Sequence, residues 1–121
     1  MNEEVIVKIF EMISAAGTAR SRYIEAISAA KTGDFEKAAD LVKEGGACFL
    51  QAHHVHGELL AADSAKMEEA GEGAGASLIL VHAEDQMMAA ESFRLMAEEF
   101  IDVYKQLDAL KQQTGLLGEN I

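Results

Sequence analysis

The chain has no proline and no tryptophan, a single cysteine and few basic residues. Without proline, no position lacks a backbone donor or is barred from continuing a helix. One cysteine, Cys48, excludes an intrachain disulfide and any zinc-ligand spacing, and it is read as a small buried hydrophobe. Ten Lys and Arg stand against 21 Asp and Glu, a formal charge of -11. That balance argues against DNA, RNA or an anionic membrane surface, since such partners are held mainly by Lys and Arg. It is compatible with a basic or mixed-charge protein partner. No apolar run approaches the roughly 20 residues of a membrane span. The opening MNEEVIVKIFEM is acidic where a secretory leader needs a basic region. A cytoplasmic protein without direct membrane insertion is expected.

Half of the 121 residues are apolar, enough for one core and one domain. Abundant Ala, Leu, Glu, Met and Lys favours an all-α fold. The first helix is expected from Glu3 to Thr32, with Ile6, Ile9, Ile13, Ala16, Tyr23, Ile27 and Ala30 inward and Phe10, Gly17 and Ile24 widening the stripe. Arg20 and Arg22 on it are read as solvated or snorkelling side chains rather than ligands. At Lys31-Thr32-Gly33-Asp34 the glycine is suited to end a helix and the aspartate to cap the next. A second helix follows from Phe35 to about Glu69, with Ala38, Val42, Phe49, Ala52, Val55, Leu59 and Leu60 inward. Gly45 and Gly46 lie inside it without breaking its phase, which implies a close helix contact or slight kink. The glycine-rich run 70–76 is a connection; no GK[ST] follows it, so it is not a phosphate-cradling loop. A third helix runs to about Leu110. The expected organisation is an antiparallel up-down-up three-helix bundle over residues 1–111, with 112–121 a disordered tail.

The third helix carries two apolar stripes. Leu78, Val81, Asp85, Met88, Ser92 and Leu95 follow the three- and four-residue steps of a coiled-coil seam. Phe93, Met96, Phe100, Val103, Leu107 and Leu110 share that spacing, displaced by about 100°. One stripe is expected to pack within the chain and the other against another subunit. Asp85 then meets its own copies near any rotation axis, where carboxylates must be protonated, hydrated or bridged by a cation.

His82 lies three residues before Asp85, on nearly the same side. The plainer reading is a hydrogen-bonded interfacial histidine. Two functional readings stand beside it. A neutral imidazole nitrogen is a nucleophile that can accept and pass on a phosphoryl group. Alternatively, His82 and Asp85 are metal ligands, an incomplete set unless symmetry supplies more. His53, His54 and His56 lack the Glu-x-x-His pairs of di-iron bundles and the HExxH spacing, and are read as surface and seam histidines. In a simple antiparallel register His82 is expected opposite Ala62, roughly 9 Å along the bundle from His56.

At LILVHAEDQMM the chain resembles the enzyme IIA component of the lactose/cellobiose (chitobiose) family of the bacterial phosphoenolpyruvate-dependent sugar phosphotransferase system. The likeness also covers VIVKIFEMISAAGTARSRYIEAISAAKTGDFEKA and the AHH stretch followed by E-L-L. The resemblance implies a homotrimer with a coiled-coil-like core and phosphorylation of the histidine that matches His82. It implies a divalent cation, magnesium in kind, at the axial aspartate that matches Asp85. By that resemblance the phosphoryl group is expected to arrive from the phosphocarrier HPr and to leave for a cysteine of the cognate IIB component, which serves the membrane IIC, so that no sugar site is expected here. The sequence departs from the family pattern at Glu84 and Gln86, where Gln and His are frequent. Two other classes share some features: a two-component histidine phosphotransfer domain, which usually shows H-x-x-K-G where Asp85 stands here, and a non-catalytic trimeric helical adaptor.

Overall fold

The computed structural model describes residues 3–70 and 78–115, all in helices but for a tight turn and the final residue. The helices are α1 (Glu3–Lys31), α2 (Phe35–Ala70) and α3 (Leu78–Thr114). The glycine-rich connection and the last six residues lie outside the described part. No strand occurs among the described residues, and no helix there is long and apolar enough to cross a membrane.

Local chemistry sets the boundary between α1 and α2. Gly33 adopts φ 86°, and its N–H donates to Ala30 O (3.0 Å) while Asp34 N–H donates to Ala29 O (2.9 Å). These two bonds satisfy carbonyls that the end of α1 leaves open, a geometry that glycine enters without a Cβ penalty. Asp34 then accepts from Lys37 N–H at 3.1 Å through its side chain and caps α2. Helix α3 extends to Thr114 rather than stopping at 110 or 111, and ends where Gly115, at φ 69°, donates to Lys111 O.

Cross-helix pairs report how the helices lie. Lys8 meets Glu58 at 3.1 Å, Gln51 donates to Glu11 at 3.4 Å, and Arg22 meets Glu44 at 3.4 Å, so residue numbers in α1 and α2 run in opposite senses. The hydrogen bond to Glu58 raises the Lys8 ammonium above its ordinary pKa and lowers the Glu58 carboxyl. Both groups are exposed, where such pairs contribute little to stability.

The core is unusually rich in alanine. Ile9, Met12, Ala15, Ala16, Ala19 and Tyr23 of α1 pack with Ala52, Val55 and Leu59 of α2 and Ala83, Met87, Ala90 and Ala97 of α3. Of the expected inward residues, Ile6, Ile13 and Ile27 are only partly covered, and Phe10 and Ile24 are exposed. On α2, Ala38, Ala52, Val55 and Leu59 are buried as expected, whereas Leu60 is exposed. Small side chains let the three backbones approach, and the bulkier apolar residues are left towards the edges. Cys48 is partly buried and packs against the core.

Tyr23 explains one of the two helical glycines. Its ring is fully buried, and a Cβ on Gly45 would lie 2.5 Å from its Cε1 atom. Gly45 is therefore a close helix contact, while a Cβ on Gly46 would meet nothing within 4 Å. The Tyr23 hydroxyl is buried without a hydrogen-bond partner, and burial pushes its pKa up.

Candidate functional site

At about 100° per residue, four consecutive positions of α3 point four ways. Ala83 is buried, as is Met87 one turn later. Glu84 turns to α2, where its carboxylate lies 2.7 Å from the Nε2 atom of His56. Gln86 turns to α1, accepting a hydrogen bond from Arg20 Nη1 at 3.1 Å. His82 and Asp85 are exposed, and together with Leu78, Ile79 and Val81 they line an open depression of about 650 Å³.

The His82 imidazole has no hydrogen-bond partner among the described residues of its own chain. Asp85 likewise has neither an ion-pair nor a hydrogen-bond partner there. An exposed carboxylate thus stands beside an exposed imidazole on one face of α3.

Neither apolar stripe of α3 is the chief inward face. Leu78 is 87% exposed and Met88 69%, and Val81 and Leu95 are also open. Met96, Phe100, Val103, Leu107 and Leu110 of the second stripe are exposed too. Only Phe93 among that set packs against the core. The expectation that one stripe packs within the chain is therefore corrected. Alanines, Met87, Ile101 and Tyr104 take the inward face because they allow closer helix approach, and the large side chains form an outward apolar surface.

The other histidines go to three different partners. His53 stacks on Phe49 with ring centroids 6.3 Å apart, His54 lies 3.4 Å from Glu58, and His56 holds Glu84. Among the described residues, no group of three or more His, Cys, Asp or Glu is placed to hold a metal ion. His56 reaches the residue two beyond His82, its Nε2 lying 2.7 Å from the Glu84 carboxylate, so its ring is already engaged. The same pair settles the direction of Glu84, which faces α2.

A magnesium ion takes about six oxygen ligands. Among the described residues lining this depression Asp85 is the one carboxylate, so the donor set fits such an ion only if symmetry copies bring further carboxylates or water completes the shell.

The described residues form an all-helical chain of three helices that carries an exposed imidazole on the third. The chain belongs to the lactose/cellobiose-specific IIA subunit family of the sugar phosphotransferase system, whose description matches residues 7–105. It is thus a phosphotransferase-system component. It is 37% identical over 107 residues to the lichenan-specific phosphotransferase enzyme IIA component of Bacillus subtilis (strain 168), covering 88% of this chain and 93% of that one. It is 35% identical over 103 residues to the lactose-specific EIIA component of Staphylococcus aureus (strain N315), covering 85% and 95%. The crystal structure of the cellobiose-specific enzyme IIA from Bacillus anthracis superposes with a TM-score of 0.76 at 34% identity, covering 90% of this chain and 95% of that one.

The structure brings His82 and Asp85 to one depression, in line with their three-residue spacing. It also brings Arg20, read from the sequence as solvated or snorkelling, to Gln86. Nothing local announced that Arg20 would meet it.

Proposed function

We propose that this chain is a cytoplasmic phosphoryl carrier in sugar uptake, taking phosphate from phospho-HPr onto His82 and passing it to a cysteine of its cognate IIB component. The observation that carries this reading is the exposed, unbonded imidazole of His82 on α3 of a chain belonging to the IIA family. The names of its relatives, specific for lichenan, lactose and cellobiose, support a β-linked saccharide of the disaccharide class as the sugar served.

In the accepting step, a lone pair on the neutral His82 ring attacks phosphorus. The donor N–P bond breaks with its electron pair returning to the donor ring nitrogen. Each ring keeps the proton on its other nitrogen, so only the phosphoryl group crosses. Delivery to IIB forms a P–S bond to its cysteine thiolate as the His82 N–P bond breaks, and the pair returns to the imidazole. Transfer through a loose transition state asks mainly for positioning and charge stabilisation. A helix-mounted ring supplies the first. Incubation with phosphoenolpyruvate, enzyme I and HPr is expected to add about 80 Da in acid-labile form. No adduct with competent donors rejects the carrier reading.

The outward stripe of α3 supports an up-down-up bundle assembling as a homotrimer with a coiled-coil-like seam, since an exposed apolar row of this length calls for cover. Asp85 from each copy would then hold a divalent cation, magnesium in kind, whose charge would offset the carboxylates gathered there. Native mass spectrometry is expected to find a trimer carrying such an ion. Asp85→Leu is expected to keep the helical fold and lose the ion; a monomer, or a variant with unchanged metal content, overturns this part of the reading.

A further inference from the structure

A phosphoryl group on His82 brings negative charge into an acidic protein, beside the unpaired Asp85 carboxylate. Something cationic must face it for transfer to be fast. The arginines of this chain differ in how far their charge is already committed. Arg22 meets Glu25 at 3.1 Å and Glu44 at 3.4 Å, and Arg94 is gripped by Glu91 and Glu98. Arg20 alone has no carboxylate partner among the described residues. Its Nη1 donates to the neutral amide oxygen of Gln86, and it is partly buried.

Gln86 follows His82 by four residues, a rise of about 6 Å and a rotation of about 40° on the same helix. The bond to Gln86 therefore holds an uncompensated guanidinium against the turn of α3 that carries His82. Its remaining N–H groups form the planar fork that matches phosphate oxygens. Glu84, the nearest carboxylate in sequence apart from Asp85, is turned away to His56 and leaves the guanidinium unquenched.

We propose that Arg20, oriented by Gln86, is the positioning cation for the phosphoryl group on His82. This inference rests on the carrier reading above. Arg20 steadies the charge on the transferred group, and Gln86 keeps the guanidinium on this helix without neutralising it.

Three variants test it, with the rate of His82 phosphorylation by phospho-HPr and the lifetime of the phospho-adduct as readouts. Arg20→Gln is expected to slow transfer by about tenfold or more, in line with loss of a charge-stabilising donor. Arg20→Lys, which keeps charge without the fork, is expected to recover part of that rate. Gln86→Glu retains and strengthens the tie between α1 and α3, so a merely structural role predicts no loss. On the present inference it commits Arg20 to a carboxylate and slows transfer, with the melting temperature held. Wild-type rates in Gln86→Glu overturn the proposal whatever Arg20→Gln does, and so does an Arg20→Lys variant no faster than Arg20→Gln. If the unmodified protein itself takes no phosphate, the carrier reading fails and this inference with it; normal labelling with unaffected variants removes only the role of Arg20.

Discussion

His82→Ala is expected to abolish phosphoryl acceptance while leaving the helical fold intact. On the proposed carrier reading the ring nitrogen is the nucleophile, so its removal leaves no bond for the transfer to form, and the loss is expected to reach about 10³-fold or more in the rate of IIB phosphorylation. The fold is expected to survive because the ring is exposed and holds nothing; surface changes of that sort usually fall within about 0.5 kcal/mol. Circular dichroism and thermal melting check the second half of the statement. The informative control is His54→Gln. The His54 side chain is 79% exposed, the residue an indiscriminate phosphodonor would also label. That variant is expected to take up phosphate normally. An adduct of wild-type stoichiometry on His82→Ala, or its loss in His54→Gln, moves the carrier site away from α3.

Much of this architecture is written in short-range chemistry, and those parts were legible. Gly33 and Asp34 dictate the turn between α1 and α2 within four residues, and Phe35 begins α2 as expected. The end of α3 was placed too early because apolar periodicity fades after Leu110. Lys111, Gln112 and Gln113 are good helix formers, and the helix needs no buried face to continue to Gly115. Its inward face was misjudged for a related reason. A periodic row of large apolar residues shows that a face is covered by something, not that the chain itself does the covering. Alanine at Ala83, Ala90 and Ala97 has little hydrophobic contrast, yet it is the residue that admits another helix closely. His82 and Asp85 stood out because polar groups interrupt an apolar pattern. Arg20 and Gln86 did not, because their bond joins residues 66 apart and depends on helix register, which no local spacing encodes.

The same close packing makes two adjacent glycines respond oppositely to one methyl group. In a helix interior, alanine is favoured over glycine by about 1 kcal/mol, and that gain applies equally at positions 45 and 46. At Gly46 nothing lies within 4 Å of the added carbon, so Gly46→Ala is expected to stabilise the fold by about that amount. At Gly45 the new carbon falls 2.5 Å from Tyr23 Cε1, with Cδ1 at 2.9 Å, against a ring that is wholly buried. The ring is not a loose side-chain end that can swing into solvent; it must displace the α1–α2 contact. Overpacking of this kind costs about 1–3 kcal/mol and outweighs the helix gain at all but the bottom of that range. Thermal unfolding is expected to place Gly46→Ala above the wild-type midpoint and Gly45→Ala below it, each by a few degrees, roughly 2–8 °C per kcal/mol across domains of this size range. If Gly45→Ala melts at or above Gly46→Ala, Tyr23 does not sit against that backbone. Tyr23→Ala in the Gly45→Ala background supplies the internal check: with the ring gone, alanine at 45 is expected to be neutral or favourable relative to the Tyr23→Ala single variant, because only the helix propensity remains.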